Sequence, residues 1–181
     1  MDITEIVQHA KDDLLKEGEH RPWMYVEFEE KELNIIAFAD FPYQTTLEKQ
    51  KVFFGLGRKL GTESPGKNIC QVIFIVEAWM SHYAKGEKPK HSPSKDPNRM
   101  EVLTIQVLDA NHATRKLTES VHIVDMIRDG SGELVDLLHR KDEMQEVHNP
   151  ILTAFLAGFE STKLSDEEFA RIMERAFRGG L

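Results

Sequence analysis

Two apolar segments, residues 68–82 and 101–110, carry large apolar side chains at both odd and even positions. In the first of them, Val72 and Phe74 alternate with Ile73. A strand that is apolar on both faces is typical of the centre of a sheet that is covered on both sides. We therefore expect these two segments to be neighbouring central strands, and the rest of the fold has to supply a cover for each face.

Shorter segments with strand character lie on either side of this pair. The first two are rich in aromatic and β-branched residues and are separated by three charged residues, which predicts a hairpin. The last would be an edge strand, although its leucines also fit one turn of a helix. The predicted segments are 23–29, 33–39, 117–128 and 133–139.

A tight turn is predicted between the last two strands. Residues 129–132 read Asp-Gly-Ser-Gly, and Gly130 can supply the positive φ that a two-residue hairpin loop requires. This pairing would place Asp125 opposite Asp136, and two facing carboxylates destabilise a sheet unless a cation or water separates them.

Four helices are predicted from capping residues that precede apolar side chains at helical spacing. In the second helix, Gly55 and Gly57 are expected to allow a close approach to the sheet, and Gly61 is expected to end the helix. The four N-terminal signals are Asp2 with Glu5, Thr45 with Glu48, Asn149 with Pro150, and Ser165 with Glu168.

Together these elements predict a single α+β domain over residues 1–181, in the order α-ββ-α-βββ(β)-αα. One antiparallel sheet of five to six strands would carry helices packed on it. This element order resembles that of the roadblock, longin and profilin-like modules, which place a helix between the second and third strands of a single sheet. The resemblance implies a dimerising scaffold, so a homodimer is expected.

Composition and charge exclude several classes of protein. The longest uninterrupted apolar run, residues 72–76, is far shorter than the roughly 20 residues of a membrane span. The N-terminal residues do not resemble a signal peptide, which predicts a cytoplasmic location. Cys70 is the single cysteine, so an internal disulfide and a cysteine-built zinc site are excluded. The net charge of −8 disfavours indiscriminate binding to nucleic acid or to an anionic membrane.

The segment between the two central strands, residues 83–99, is the main electrostatic irregularity. It contains five basic and two acidic residues, a net charge of +3 on an otherwise acidic chain. It is also longer than the usual hairpin loop of about two to five residues, and long loops are often functional. It is either a positively charged flap that meets a phosphate or an acidic partner, or a solvated loop. The candidate binding residues are Lys88, Lys90, Lys95 and Arg99.

Residues 77–81 (EAWMS) and 93–101 (PSKDPNRME) resemble an uncharacterised prokaryotic and phage-associated protein family. The resemblance covers roughly residues 69–110 and implies no activity, because none is assigned to that family. It draws attention to the place where the two segments meet.

Pairing the two strands across the connecting segment sets Ser81 opposite Glu101 and Trp79 opposite Leu103. Glu77 would lie on the same face, and Arg99 near the mouth of the connecting segment. The alternative is that Glu77 and Arg99 form a structural ion pair and that Trp79 belongs to the core. The candidate patch consists of Glu77, Trp79, Ser81, Arg99 and Glu101.

No motif of catalysis or metal binding is apparent. The eight histidines show no i, i+4 pair, and no calcium-loop pattern is present, so neither a metal site nor a cofactor is predicted. The first functional hypothesis is therefore a non-catalytic binding or assembly module. Two alternatives stay open: binding of a phosphate-bearing ligand or nucleic acid by residues 83–99, and an enzyme with an acid–base site near Glu77 and His82.

Overall fold

The structure is a computed structural model. It describes residues 3–18, 20–38, 45–81, 95–111, 113–114, 116–140, 149–165 and 167–168. The strands are β1 (Trp23–Phe28), β2 (Leu33–Ala37), β3 (Ile69–Met80), β4 (Met100–Asn111), β5 (Lys116–Arg128) and β6 (Leu134–His139). The helices are α1 (Ile3–Glu17), α2 (Thr46–Glu63) and α3 (Pro150–Glu160), the last continued by a 3-10 turn at Ser161–Lys163.

The six strands form one antiparallel sheet in the order β2-β1-β3-β4-β5-β6. This confirms the predicted α+β class, the single antiparallel sheet and the element order, with a helix between the second and third strands. Residues 134–139 form the predicted edge strand. The helix predicted after the cap at Ser165 lies outside the described residues beyond residue 168. Its capping box is present, because the Ser165 hydroxyl accepts the N–H of Glu168 and the Glu168 carboxylate accepts the N–H of Ser165.

The two predicted central strands do lie in the middle of the sheet and are buried on both faces. Val72, Ile73, Phe74 and Ile75 of β3 are each at most 1 % exposed. Successive residues of a strand point to opposite faces, so four consecutive buried residues require a cover on each side.

Helix α1 covers one face, which we call the α1 face. Its apolar stripe packs against side chains of β3, β4, β5 and β6. The stripe is narrow, and the opposite side of the helix is exposed. The buried residues of α1 are Ile6, Val7, Ala10 and Leu14.

Helices α2 and α3 cover the other face. Phe53 of α2 and Phe155 and Phe159 of α3 are fully buried against β1, β3 and β4. Both predicted caps are present. The Thr45–Glu48 capping box begins α2, and the Asn149 side chain accepts the N–H groups of the first turn of α3.

Glycines bring α2 and α3 into backbone contact with each other. A Cβ atom on Gly57 would lie 2.9 Å from the carbonyl carbon of Phe155, and one on Gly158 would lie 2.8 Å from that of Phe54. The expectation that glycines fit α2 to the sheet was therefore wrong, because the close approach is to α3. Gly61 does not end the helix but lies in this contact, because a Cβ atom added to it would lie 2.8 Å from the carbonyl oxygen of Phe159.

The turn between β5 and β6 differs from the predicted two-residue hairpin. Gly132, with φ +91°, supplies the positive φ, and not Gly130. The N–H of Asp129 donates to the carbonyl of Glu133, and that of Gly132 donates to the carbonyl of Asp129. Three residues therefore form the loop, and the glycine at its third position is typical of a three-residue hairpin.

The longer loop also removes the predicted clash of carboxylates on β5 and β6. Asp125 faces Leu138, and Asp136 faces Ile127. Asp125 is instead paired with Arg140, whose Nε and one Nη lie 2.8 Å and 2.7 Å from its two carboxylate oxygens. In the part of the chain that the structure describes, no helix is both long and apolar enough to span a bilayer.

The helix contact can be tested by substituting two glycines of α2 that lie two residues apart. Gly57→Ala is expected to lower the free energy of unfolding by about 1–3 kcal/mol, because the added methyl group overlaps backbone of α3 that cannot move away. Gly55→Ala is the matched control: nothing lies within 4 Å of its Cβ position, so the higher helix propensity of alanine should stabilise the protein slightly. Urea denaturation of both variants measures the difference. Equal effects of the two substitutions would contradict the helix contact.

Candidate functional site

A polar surface lies on the α1 face, beyond the end of the buried part of β3. Glu77 and Trp79 point to the same side as Ile73 and Ile75, which pack under α1. We call this the Trp79 surface, and its residues are Glu77, Trp79, Arg99, Glu101 and Arg128.

The register that creates this surface is shifted by two residues from the predicted one. Trp79 lies opposite Glu101, and Glu77 opposite Leu103, whereas Ser81 had been expected opposite Glu101 and Trp79 opposite Leu103. The connecting segment is too long to determine the register, which is instead set by buried pairs such as Ile75 with Ile105. A shift of two keeps every side chain on its face, so Glu77, Trp79 and Glu101 still lie on one face. Ser81 follows the end of β3 and has no paired residue on β4.

Trp79 and Arg99 form the exposed part of the surface. The guanidinium of Arg99 lies over the indole ring, 4.2 Å from its centroid. The indole is 42 % exposed, so the alternative that Trp79 belongs to the core is wrong. A cation over an aromatic face is an attractive contact of about 0.5–1 kcal/mol at an exposed site.

The turn that precedes β4 orients Arg99. Asp96 is 7 % exposed, and its side chain accepts the backbone N–H of Asn98 at 2.8 Å. The N–H of Arg99 donates to the carbonyl of Asp96 at 3.2 Å. Lys95, at the start of this turn, is exposed. The last five residues of the basic segment thus place two basic side chains on a turn anchored by a buried aspartate.

Glu101 and Arg128 form the inner part of the surface. Two hydrogen bonds join the guanidinium to the carboxylate, and the two side chains are only 20 % and 29 % exposed. Hydrogen bonding to Glu101 raises the pKa of Arg128 above its usual value, and the charge of Glu77 adds to the effect. The positive charge of Arg128 therefore offsets the negative charges of Glu101 on β4 and Glu77 on β3. This role is structural.

Glu77 is also held by the chain that enters β1, because its Oε1 accepts the backbone N–H of His20. The pKa of His20 is lowered from 6.5, since burial disfavours its charged form and the opposing charge of Asp13 only partly offsets this.

Three of the predicted site residues lie outside the described residues. They are His82, Lys88 and Lys90. Of the predicted set, the structure brings Glu77, Trp79, Arg99 and Glu101 together, with Lys95 on the adjoining turn.

Sequence reasoning missed two residues of the site, Arg128 and His20. Arg128 ends a long strand and could have been assigned only with the register of β5 against β4. His20 contributes a backbone N–H, which leaves no signal in the sequence.

The described residues contain no group of three or more histidine, cysteine or acidic side chains that could hold a metal ion. They do contain a surface cavity of about 470 Å³ at the opposite end of the sheet, and no predicted site residue lines it. Its lining residues are Glu29, Asp109, Ala110, Asn111, Ala113, Thr114, Lys116 and Thr118.

Comparison with known proteins gives no relative. No family model matches the chain, and no curated protein or solved structure is similar enough to report. The resemblance of residues 69–110 to an uncharacterised family stays a prediction.

Two half-buried histidines make the stability of this face dependent on pH. Burial lowers the pKa of both His20 and His122, and the ring of His139, 5.8 Å from that of His122, lowers the latter further. The unfolded chain then binds these protons more readily than the folded one. The free energy of unfolding is therefore highest above about pH 6.5 and decreases as the pH falls below that value. Each histidine lowers it by at most about 1.4 kcal/mol for each pH unit.

The measurement is urea denaturation one pH unit above and one below 6.5. His122→Gln should reduce the loss of stability on acidification, whereas His9→Gln, at an exposed position of α1, should leave it unchanged. An identical pH dependence in wild type and His122→Gln would show that His122 does not contribute.

Proposed function

We propose that this protein is a non-catalytic binding module, assembled as a homodimer, whose Trp79 surface binds a phosphate-bearing ligand with a planar ring. The chemistry fits a nucleotide, either free or within a single strand. The observation that carries the proposal is the indole of Trp79, which is 42 % exposed, with the guanidinium of Arg99 over its ring.

An exposed tryptophan beside basic side chains is the usual arrangement for binding a base and its phosphate. The ring supplies a face for stacking, worth about 1–3 kcal/mol per base, and arginine and lysine supply charge to the phosphate. Arg99 already stacks on Trp79, so a base could extend that stack. Lys95 lies on the same turn, and the basic part of the sequence leads into it.

The two carboxylates of the Trp79 surface make it less positive than the basic segment alone would be, but they do not prevent an anion from binding there. The carboxylate of Glu101 is neutralised by Arg128 through two hydrogen bonds. Glu77 contributes to the field at Arg128 and accepts the N–H of His20. Among the described residues, Arg99 lies over the indole and Lys95 is exposed on the same turn, so we expect these two charges to contact the ligand.

The same contacts argue against an enzyme that uses Glu77. A general acid or base must reach a substrate proton, and the described contacts of this carboxylate serve to hold the chain between α1 and β1. The acid–base alternative with His82 stays a prediction, as does the cytoplasmic location.

The proposal predicts binding to a fluorescein-labelled oligothymidylate of about ten nucleotides, within the roughly 4–16 nucleotides of known single-strand sites. Trp79→Ala should weaken binding about fivefold to a hundredfold, because it removes the stacking surface. Arg99→Ala should weaken binding and also reduce the slope of log K against log salt by about 0.7, the value for one phosphate contact on a single strand. Fluorescence anisotropy over a salt series measures both effects.

Lys59→Ala, which removes an exposed lysine from α2, is the matched control and should change neither affinity nor slope. Competition by thymidine monophosphate and by inorganic phosphate separates a free nucleotide from a strand and from phosphate alone. Unchanged binding in both Trp79→Ala and Arg99→Ala would overturn the proposal.

A further inference from the structure

We infer that the homodimer forms through the edge of β6, the outer strand of the sheet in the described part of the chain, with Leu138 on the two-fold axis. The inference takes only the homodimer from the proposed function and assigns to it a surface and a register. The partner is a second copy of this chain, whose β6 would extend the sheet in antiparallel orientation.

In the part of the chain that the structure describes, β6 is the outer strand of the sheet, and it carries neither lysine nor proline, two residues that usually prevent edge strands from pairing. Its sequence is LVDLLH, and Asp136 is its single acidic or basic residue apart from His139. Its pairing with β5 is irregular at Val135, between Leu134 and Asp136, so the regular part of the edge begins at Asp136. This part offers backbone donors and acceptors to another strand, although the N–H of Leu137, which the carboxylate of Asp136 accepts, would have to exchange partners.

Large apolar side chains are exposed beside this edge. Leu138, on the face opposite to α1, is 56 % exposed, and Val135, at the register irregularity, is 54 % exposed. Ile127 of β5, which is paired with Asp136 and lies diagonally from Leu138 on the same face, is 41 % exposed. Leu138 and Ile127 together form an apolar area where the edge strand would meet its partner.

Symmetry restricts how two copies of β6 can pair. In an antiparallel pair related by a two-fold axis normal to the sheet, facing residues lie on the same face, and their numbers have a constant sum. An axis at Asp136 would place two carboxylates opposite each other, which destabilises a sheet. An axis at Leu137 would place Asp136 opposite Leu138 and give the charge no partner. An axis at Leu138 brings the leucines of the two copies together.

The register with Leu138 on the axis is also complementary in charge. Asp136 of each copy would lie opposite Arg140 of the other, and both side chains point to the face that carries Leu138. Arg140 continues the pairing with β5, since its N–H donates to the carbonyl of Ile123, and its guanidinium is fixed by Asp125. Asp136 and Arg140 lie two residues before and two residues after Leu138. A two-fold rotation about Leu138 therefore places the acid of each copy opposite the base of the other. This self-complementarity indicates a second copy and not an unrelated partner.

The register can be tested by disulfide formation in a Cys70→Ser background, which removes the single native thiol. Leu138→Cys is expected to give a disulfide-linked dimer with oxidised glutathione, because residues paired across strands have Cα atoms about 4.5–5.5 Å apart, within the range of a disulfide. Asp136→Cys is the matched control. Its two copies would be offset by four residues, or about 13 Å along the strands, which is too far for a disulfide. Equal cross-linking of the two variants would overturn the register.

The surface is tested by sedimentation equilibrium at rising protein concentration. Wild type is expected to be a dimer, and Leu138→Lys a folded monomer, since two lysines would meet on the axis. Leu33→Lys, which places the same charge at an exposed position on the β2 edge, should remain dimeric. A Leu138→Lys dimer would overturn the assignment to β6, and so would a Leu33→Lys monomer.

These outcomes differ from those that test the ligand. Leu138 lies on the face opposite to Trp79, so Leu138→Lys should keep the oligothymidylate affinity of wild type. A monomeric wild type that still binds the oligonucleotide would contradict the proposed dimer and support the proposed ligand. A dimer that cross-links at residue 138 but does not bind the oligonucleotide would contradict the proposed ligand and support the proposed interface.

Discussion

The burial of β3 and β4 on both faces is the constraint on which the rest of the structure depends. Four consecutive residues of β3, from Val72 to Ile75, are at most 1 % exposed, so each face needs its own cover. Helix α1 provides one cover and the pair α2–α3 the other. Val76 is the last residue of β3 that packs against the α2–α3 cluster, and the strand runs on for four more residues, which include Trp79. One strand therefore contributes both to the core and to the exposed surface.

The close contact between α2 and α3 explains why the β6 side of the sheet is exposed. Because Gly57 and Gly158 bring the two backbones together, the helices form a narrow pair. Their apolar cluster includes residues of β1, β3 and β4 and none of β5 or β6. The side chains of Ile127 and Leu138, on the same face, are left outside that cluster and remain exposed. The exposed side chains of β5 and β6 thus lie beyond the strands against which this helix pair packs.

The sequence predicted most of the fold because burial and capping leave local signals. Residues that are apolar on both faces indicated β3, and Thr45 and Asn149 indicated where helices begin. What it could not predict depends on distant contacts. The register of β3 against β4 is set by buried pairs across a long connection, and the partner of the helix glycines is a segment about a hundred residues away in the chain. The site was predicted as a set of residues on one face, since a register error of two preserves the face, but Arg128 was missed because its pairing with Glu101 depends on the register of β5 against β4.

Two ion pairs stabilise the end of the sheet where the helices no longer cover it. Glu101 and Arg128 pair on the α1 face, and Asp125 and Arg140 pair on the opposite face, each through two hydrogen bonds. All four side chains are at most 29 % exposed, so removal of one partner would leave a largely buried charge at a cost well above that of a surface pair. These pairs occupy the guanidinium groups of Arg128 and Arg140, so they serve to hold the strands and not to contact a ligand. The exposed groups that the structure describes on the α1 face at this end of the sheet are an indole with a guanidinium over it, and our proposal assigns the ligand to them.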